Sequence, residues 1–405
     1  MSLDNDGHLP LIGLASLMRQ AFSGIDLKPL GAQLIERSTR DPGDAHALMD
    51  LATVLQLIGN RELAMATQSQ ALQMQQLYRL PAAGGETALR LLAIMAPGDL
   101  MANTPLEFLV EDSDIALDLL YLTPGLTELP ALPEHDVLFI AIGESDENRP
   151  LLQQLEGIVQ HWPRPVLNAP GRIASLSRDR ACHLLRGAPG IVMPSTQRLA
   201  RETLRQIGDE ALPIADAGED LGFPLIVRPV GSHAGHGLHR LDTPAAIAGY
   251  LQAMPQQEFY ISRFVDYRGP DGLFRKYRII LIEGRPYACH MAVSSHWMIH
   301  YLNAGMTDSA EKRTEEERFM AGFEDFAHRH EAAFRALSER IGLDYVGIDC
   351  AQTPEGDLLI FEVDSDMIVH AMDPVDLFPY KQPAMRKLFA AFRRMLLDAA
   401  ARGGG

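Results

Sequence analysis

Two segments far apart in the chain carry side chains suited to handling a polyphosphate. In FPLIVRPVGSHAGHG, residues 223–237, an apolar run presents Arg228 and then opens into a loop with Gly231, Gly235 and Gly237. Glycines let backbone N–H groups turn inward toward an anion, and a nearby cation offsets its charge. Ser232 and His233 stand in the same loop as further donors. Taken alone, such a segment more often means an ordinary glycine turn after a strand. In GIDCAQTPEGDLLIFEVDSD, residues 347–366, Asp349 closes one expected strand, and Glu362 and Asp364 lie on the next. A turn at residues 353–357 makes the two strands a hairpin. Side chains two apart on a strand share a face, so Glu362 and Asp364 point one way and Phe361 and Val363 the other. Three gathered carboxylates repel one another unless cations lie among them. Mg²⁺ suits oxygen ligands and leaves positions open for substrate phosphates. The alternative is an acidic strand face turned to solvent.

The elements that must hold these segments follow from periodicity. Residues 11–80 read as helical, with Ile12, Leu14, Leu17 and Met18, then Leu30, Leu34 and Ile35, at helical spacing. Asp41-Pro42-Gly43-Asp44 stops one helix and starts the next with Asp44 as N-cap, and Gly59-Asn60 separates the following pair. Residues 82–88 form a linker. Beyond it, short apolar runs at 91–95, 107–110, 136–141 and 166–167, with a helical stretch at 151–161, predict an α/β layer with a parallel sheet. Further strands are expected at 225–227, 258–261, 277–282 and 358–361, and helices at 326–341 and 383–400.

Composition sets outer bounds. A chain of 405 residues with 47% hydrophobic and 22% charged residues has apolar mass for several cores. Its formal net charge of −17 repels phosphate backbones and anionic lipid, so neither nucleic acid nor a membrane is the expected partner. Cys182, Cys289 and Cys350 form no CxxC pair, which suits a reducing cytoplasm. No signal peptide and no bilayer-length apolar run is expected.

The glycine loop followed at a distance by Asp…Glu-x-Asp resembles the ATP-grasp superfamily. Glutathione synthetases, D-alanine–D-alanine ligases and ribosomal-protein glutamate ligases are familiar members. The order of intervening pieces fits as well. Val166 to Pro170, Ser177-Arg178-Asp179-Arg180 and Met193-Pro194-Ser195-Thr196 resemble the entry to the central domain. Phe259-Tyr260-Ile261-Ser262 resembles the adenine hinge, Lys276-Tyr277-Arg278-Ile279 the strand bearing the family's arginine, and Asn303-Ala304-Gly305 the turn before the metal strands. The resemblance covers residues 89–395. It implies that Arg180 and Arg228 contact ATP phosphates and that the loop from Gly231 to Gly237 closes over them. It also implies that the backbone of Phe259, Tyr260 and Ile261 holds adenine and that Asp266 meets ribose. Asp349, Glu362 and Asp364 would hold two Mg²⁺ ions, and Arg278 would face the transferring phosphoryl group. The family more often has lysine at 180 and 228, Asn at 364 and Glu beside the hinge, where Ser262-Arg263 stand. Residues 268–275 and 293–301, with His290, His296 and His300 nearby, would line the acceptor pocket.

The helical pair between residues 45 and 74 resembles one tetratricopeptide repeat, on Leu51-Ala52, Gly59, Ala64 and Ala71-Leu72. A generic helical hairpin is the alternative. Three regions are thus expected: a helical region at 1–85, a pre-grasp α/β domain at 89–175 and an ATP-grasp domain of α+β class at 176–400. The implied activity is Mg-ATP-dependent carboxylate–amine ligation of an amino acid or small peptide through an acyl phosphate. A phosphotransferase or thioester-forming relative, or an inactive helical-repeat adaptor, are the other readings. The helical region would serve a protein partner or a homodimer.

Overall fold

The computed structural model describes residues 9–125, 129–232 and 235–403. Two compact units divide the chain. One comprises Met1–Ala174, Leu343–Tyr345 and Asp364–Gly405, the other Ser175–Gly342 and Val346–Val363.

The first unit opens with four helices, α1 (Leu14–Phe22), α2 (Lys28–Arg40), α3 (Ala45–Leu57) and α4 (Arg61–Met74). Asp44 caps α3 by accepting from the Ala47 N–H at 2.8 Å, and the Arg37 guanidinium braces the same carboxylate at 2.8 Å. Gly59, with φ +84°, ends α3 as the Asn60 N–H turns back to the Leu55 carbonyl at 2.8 Å. Ala52, Ala64 and Ala71 are fully buried, so α3 and α4 approach closely, and Leu17, Leu34, Leu51 and Val54 fill the core beneath them. The start of α1 is tied down by carboxylates. Asp50 accepts from the N–H groups of Ile12 and Gly13 at 2.9 and 3.1 Å, and Glu107 from that of Ala15 at 3.0 Å.

A five-stranded sheet follows, built from β1 (Leu77–Leu80), β2 (Leu89–Met95), β3 (Ile115–Tyr121), β4 (Val137–Ile140) and β5 (Val166–Leu167). Its order is β1-β3-β2-β4-β5, parallel except for β1. Every residue of β4, and all of β2 but Arg90, is buried, as strands covered on both faces must be. Two expectations are corrected here. Residues 77–80, read as the end of the helical region, form the antiparallel edge strand. Residues 107–110, read as a strand, belong to the short helix α5 (Leu106–Val110), since a short continuous apolar run carries no period to tell the two apart. Helices α6 (Arg149–Val159) and α7 (Pro170–Ile173) complete this stretch.

The second unit starts with α8 (Arg178–Leu185) and β6 (Ile191–Val192). An antiparallel sheet follows, of β7 (Thr196–Ala200), β8 (Leu225–Pro229), β9 (His239–Leu241) and β10 (Glu258–Arg263), in the order β7-β10-β8-β9. Helices α9 (Arg201–Gly208) and α10 (Ala246–Ala253) cover it through Leu204, Ile207, Ile247 and Leu251. Next come β11 (Phe274–Ile282) and β12 (Arg285–Ser294), joined by a tight Glu283-Gly284 turn with φ of 47° and 75°. Helices α11 (Ala310–Ala321), α12 (Phe323–Arg329) and α13 (Glu331–Ile341) lead to β13 (Tyr345–Gln352) and β14 (Leu358–Asp364). This second sheet runs β12-β11-β13-β14-β6. The charge-dense stretch at 308–318 is mostly α11, capped by Ser309.

The chain closes with α14 (Lys381–Gly403), which belongs to the first unit rather than to the third region expected at 176–400. Its buried Met385, Leu388, Phe392, Met395 and Ala399 recur at helical spacing and face α5, β2 and β4. Phe392 meets Phe139 and Tyr345 at ring-centroid distances of 5.9 and 5.4 Å. Among the described residues, no helix is long and apolar enough to cross a membrane.

Candidate functional site

Asp349 lies in the middle of β13, not at its end, and is 3% exposed. Lys276 and Arg278, two apart on β11, share one face and converge on it. Arg278 Nε donates to Asp349 Oδ1 at 2.8 Å, Arg278 Nη2 to Oδ2 at 3.0 Å and Lys276 Nζ to Oδ2 at 2.8 Å. Burial by itself would push the Asp349 carboxyl up. The two cations overcome that and hold it well below the usual carboxylate range. Burial likewise opposes the charge on Arg278, and Asp349 restores it.

Glu362, on β14, receives Arg178 from the first turn of α8. Arg178 bonds Oε1 of Glu362 and donates to the Phe361 carbonyl at 3.1 Å. Burial raises the Glu362 carboxyl, but Arg178 and then Arg228 bring it below its ordinary value, with Asp349 pressing the other way. Arg228 lies on β8, one residue before its end and three before Gly231. Its Nε donates to Ser232 Oγ at 3.1 Å and its Nη2 bonds the Ser232 carbonyl, while Ser232 Oγ donates to the Pro229 carbonyl at 2.8 Å. Burial, and then the like charge of Arg178, bring Arg228 down to about 10, so it stays cationic at neutral pH. Four cations (Arg178, Arg228, Lys276, Arg278) therefore surround two carboxylates (Asp349, Glu362), a local excess of two positive charges.

Gly231, Gly235 and Gly237 all have positive φ, of 71°, 76° and 67°. At Gly237 a Cβ would also come 2.7 Å from Pro229 Cδ, so space as well as conformation demands glycine there. The Gly237 carbonyl accepts from the Tyr250 hydroxyl at 2.9 Å. His233 lies outside the described residues.

Arg180 lies on the exposed side of α8, whereas Arg178 faces Glu362. Residues two apart on a helix point about 200° from each other. The backbone of Phe259, Tyr260 and Ile261, expected to hold adenine, lies inside the paired register of β10. Each of these residues is paired with β7 on one side and β8 on the other, so the sheet has taken their N–H and carbonyl groups. Unpaired register begins after Arg263, where Phe264 still donates to the Pro224 carbonyl at 2.8 Å. Asp266 is engaged by Arg268, whose Nε donates to it at 3.0 Å. Asp364 ends β14 and counts with the first unit, where its Oδ1 accepts from the Asp366 N–H at 3.2 Å.

Sequence reasoning singled out neither Arg178 nor Lys276 as a site residue. The signal for Lys276 was present, since it shares the strand face of Arg278 by simple alternation. That for Arg178 was the helical phase of α8 relative to its apolar Ala181, Cys182 and Leu185. Among the described residues, no group of three or more His, Cys, Asp and Glu side chains is placed to hold a metal ion. Asp349 and Glu362 are nonetheless oxygen donors held in the ionised form, which suits Mg²⁺ by chemistry. A cation taken up at Asp349 would compete with Lys276 for Oδ2.

No family model matches the chain, and no curated protein matches it. Among solved structures it is similar to the D-alanine–D-alanine ligase of Bacillus anthracis, complexed with ATP. The identity is 14%, over 78% of this chain and 98% of that one, at a TM-score of 0.46. The VanG D-Ala:D-Ser ligase of Enterococcus faecalis matches at 14% identity over 76% and 99%, with a TM-score of 0.45. The ATP-grasp RimK domain protein of Sphaerobacter thermophilus matches at 13% over 76% and 99%, with a TM-score of 0.40.

Proposed function

We propose that the second unit binds Mg-ATP and uses it to activate a carboxylate for attack by an amine. The observation that carries this reading is the partly buried cluster of Arg178, Arg228, Lys276 and Arg278 around two carboxylates, with a glycine-rich segment following Arg228, in a chain of net charge −17. Desolvating four cations is costly, and two carboxylates offset only half their charge. A triphosphate supplies the missing negative charge.

A carboxylate resists attack by an amine because its oxygen is a poor leaving group. Phosphorylation turns that oxygen into a good one. Mg²⁺, when bound through Asp349 and Glu362, neutralises charge on the phosphates. Arg228 and the loop at 231–237 hold the phosphates. Arg278, kept in place by its fork on Asp349, offers guanidinium N–H groups to the transferring group and then to the oxyanion formed on attack. Asp364 and a second metal ion belong to the same reading. Amino acids or short peptides are the substrates, and the helical hairpin of α3 and α4 serves contact with a partner or a second copy.

The test is release of ADP and phosphate from Mg-ATP against a panel of amino acids and dipeptides. Amine-dependent release with amide product supports the reading. Release that needs an alcohol acceptor instead makes the protein a phosphotransferase. Failure to bind nucleotide by calorimetry leaves the adaptor reading.

A further inference from the structure

We propose that His290 is the base that removes the proton from the attacking amine. This rests on the ligase reading above and concerns the step after carboxylate activation.

The need comes from the charge of the site. An amine that attacks an acyl carbon becomes cationic at nitrogen, and a pocket with excess positive charge opposes this. A nearby neutral acceptor must therefore take the proton as the C–N bond forms. The charged groups of the cluster are ill suited. Asp349 and Glu362 are committed to guanidinium and ammonium partners and hold protons weakly, and Lys276, Arg178, Arg228 and Arg278 are already protonated. An imidazole is the side chain fitted to the task near neutral pH.

His290 is placed for it. In the β11–β12 ladder it is the direct partner of Arg278, so the two side chains leave the same face with Cβ atoms about 4.5–5.5 Å apart. The register slips between Arg278 and Ile279. Ile279 pairs with Ala288, and Cys289 is left as the extra residue of a β-bulge, a device that re-aims side chains beside active sites. Around it Ala288, Cys289, Met291, Ala292 and Val293 are buried, while His290 itself is partly open. Its ring packs on Tyr301 with a centroid distance of 4.4 Å. The Tyr301 hydroxyl donates to Glu316 Oε2 at 3.0 Å, and fully buried Glu316 also accepts from the Met291 N–H at 3.0 Å. The imidazole therefore stands on a braced platform.

The step balances. The amine lone pair forms the C–N bond, the carbonyl π pair moves onto oxygen, and the N–H proton passes to a ring nitrogen of His290. The oxyanion then collapses, the C–O pair leaves with phosphate, and the imidazolium returns its proton to phosphate or solvent.

Hydroxylamine provides the test. It is largely unprotonated at neutral pH, needs little help from a base and traps acyl phosphates as hydroxamates. The wild-type protein, His290→Gln and His300→Asn are each given Mg-ATP and the panel of amino acids and dipeptides, with hydroxylamine or with an amine acceptor. His300 is included because it also stands near Lys276 and Arg278. The expected result is that His290→Gln keeps hydroxamate formation within about twofold but loses amide formation by roughly 10²–10⁴-fold. It should also lose the fall in rate on the acid side that is expected of the wild type. Retained hydroxamate formation also shows that the variant is folded. Equal loss of both products, loss of neither, or transfer of the whole effect to His300→Asn overturns the assignment of His290. Absence of hydroxamate from every carboxylate with the wild-type protein is a different failure, that of the ligase reading, and removes the proposal with it.

Discussion

Two buried acidic sites in this molecule solve the same electrostatic problem in opposite ways. In the second unit, Asp349 is buried against a guanidinium fork and an ammonium group and stays ionised. In the first unit, buried Asp50 and half-buried Glu107 meet the start of α1 with backbone N–H groups for partners, and desolvation pushes both carboxyls up to about 7. A cavity of about 60 Å³ touches both, together with Tyr78 and Tyr121, and among the described residues the buried Tyr78 hydroxyl has no hydrogen-bond partner. Dipoles alone do not balance a desolvated carboxylate, whereas full charges do. The first arrangement holds a helix in place. The second keeps its carboxylate charged.

The sharpest way to break this contrast is to remove one partner from each site. Arg278→Ala strands Asp349 with Lys276 alone and should cost about 3–5 kcal/mol in urea unfolding. The same variant should lose roughly 10²–10³-fold in ATP-dependent turnover. Asp50→Asn leaves no buried charge behind, so at pH 8 it should be close to neutral or stabilising in the same unfolding assay.

The pH dependence should run in opposite senses. Asp50 and Glu107 have folded values raised above those of the unfolded chain, so the unfolded state releases its protons first as pH rises. Their contribution is complete below about pH 4 and is lost as pH rises through 7, by at most a few kcal/mol for each carboxyl. Asp349 is depressed, so its contribution is present above the unfolded value and disappears as pH falls below about 4. Unfolding midpoints from pH 4 to 8 should decline less steeply in Asp50→Asn and Glu107→Gln than in the wild type. An unchanged slope in both variants would count against the raised carboxyls.

A smaller effect distinguishes two arginines. Arg178→Ala should weaken nucleotide binding at least tenfold by calorimetry, since it removes the partner of Glu362, whereas Arg180→Ala should change it less than twofold. The smallest concerns Gly13, whose φ is +84° and where a Cβ would come 2.6 Å from Glu107 Oε2. Gly13→Ala should cost somewhat more than about 1 kcal/mol of thermal or urea stability.

Much of this was legible before any coordinates. Period-two alternation carried the signal that sets Lys276 beside Arg278, although it was passed over, and the apolar runs of β2, β4 and β8 declared themselves. What stayed hidden depends on long-range pairing. Whether the backbone of residues 259–261 is available to a ligand is decided by β7 and β8, which lie about 60 and 30 residues upstream. The choice between Arg178 and Arg180 is a matter of helix phase, set by what α8 packs against. Residues 77–80 became a strand because β3 offered an edge, a fact with no trace in their own composition.

Helix α14 carries a consequence for biosynthesis. The sheet surface it covers is made of residues translated hundreds of codons earlier, among them Phe139 and the strands β2 and β4. Until the ribosome reaches Met385 through Ala399, that greasy surface has no lid from its own chain. A nascent polypeptide stalled after β14 should therefore be a better client for chaperones, and a better seed for aggregation, than the finished protein.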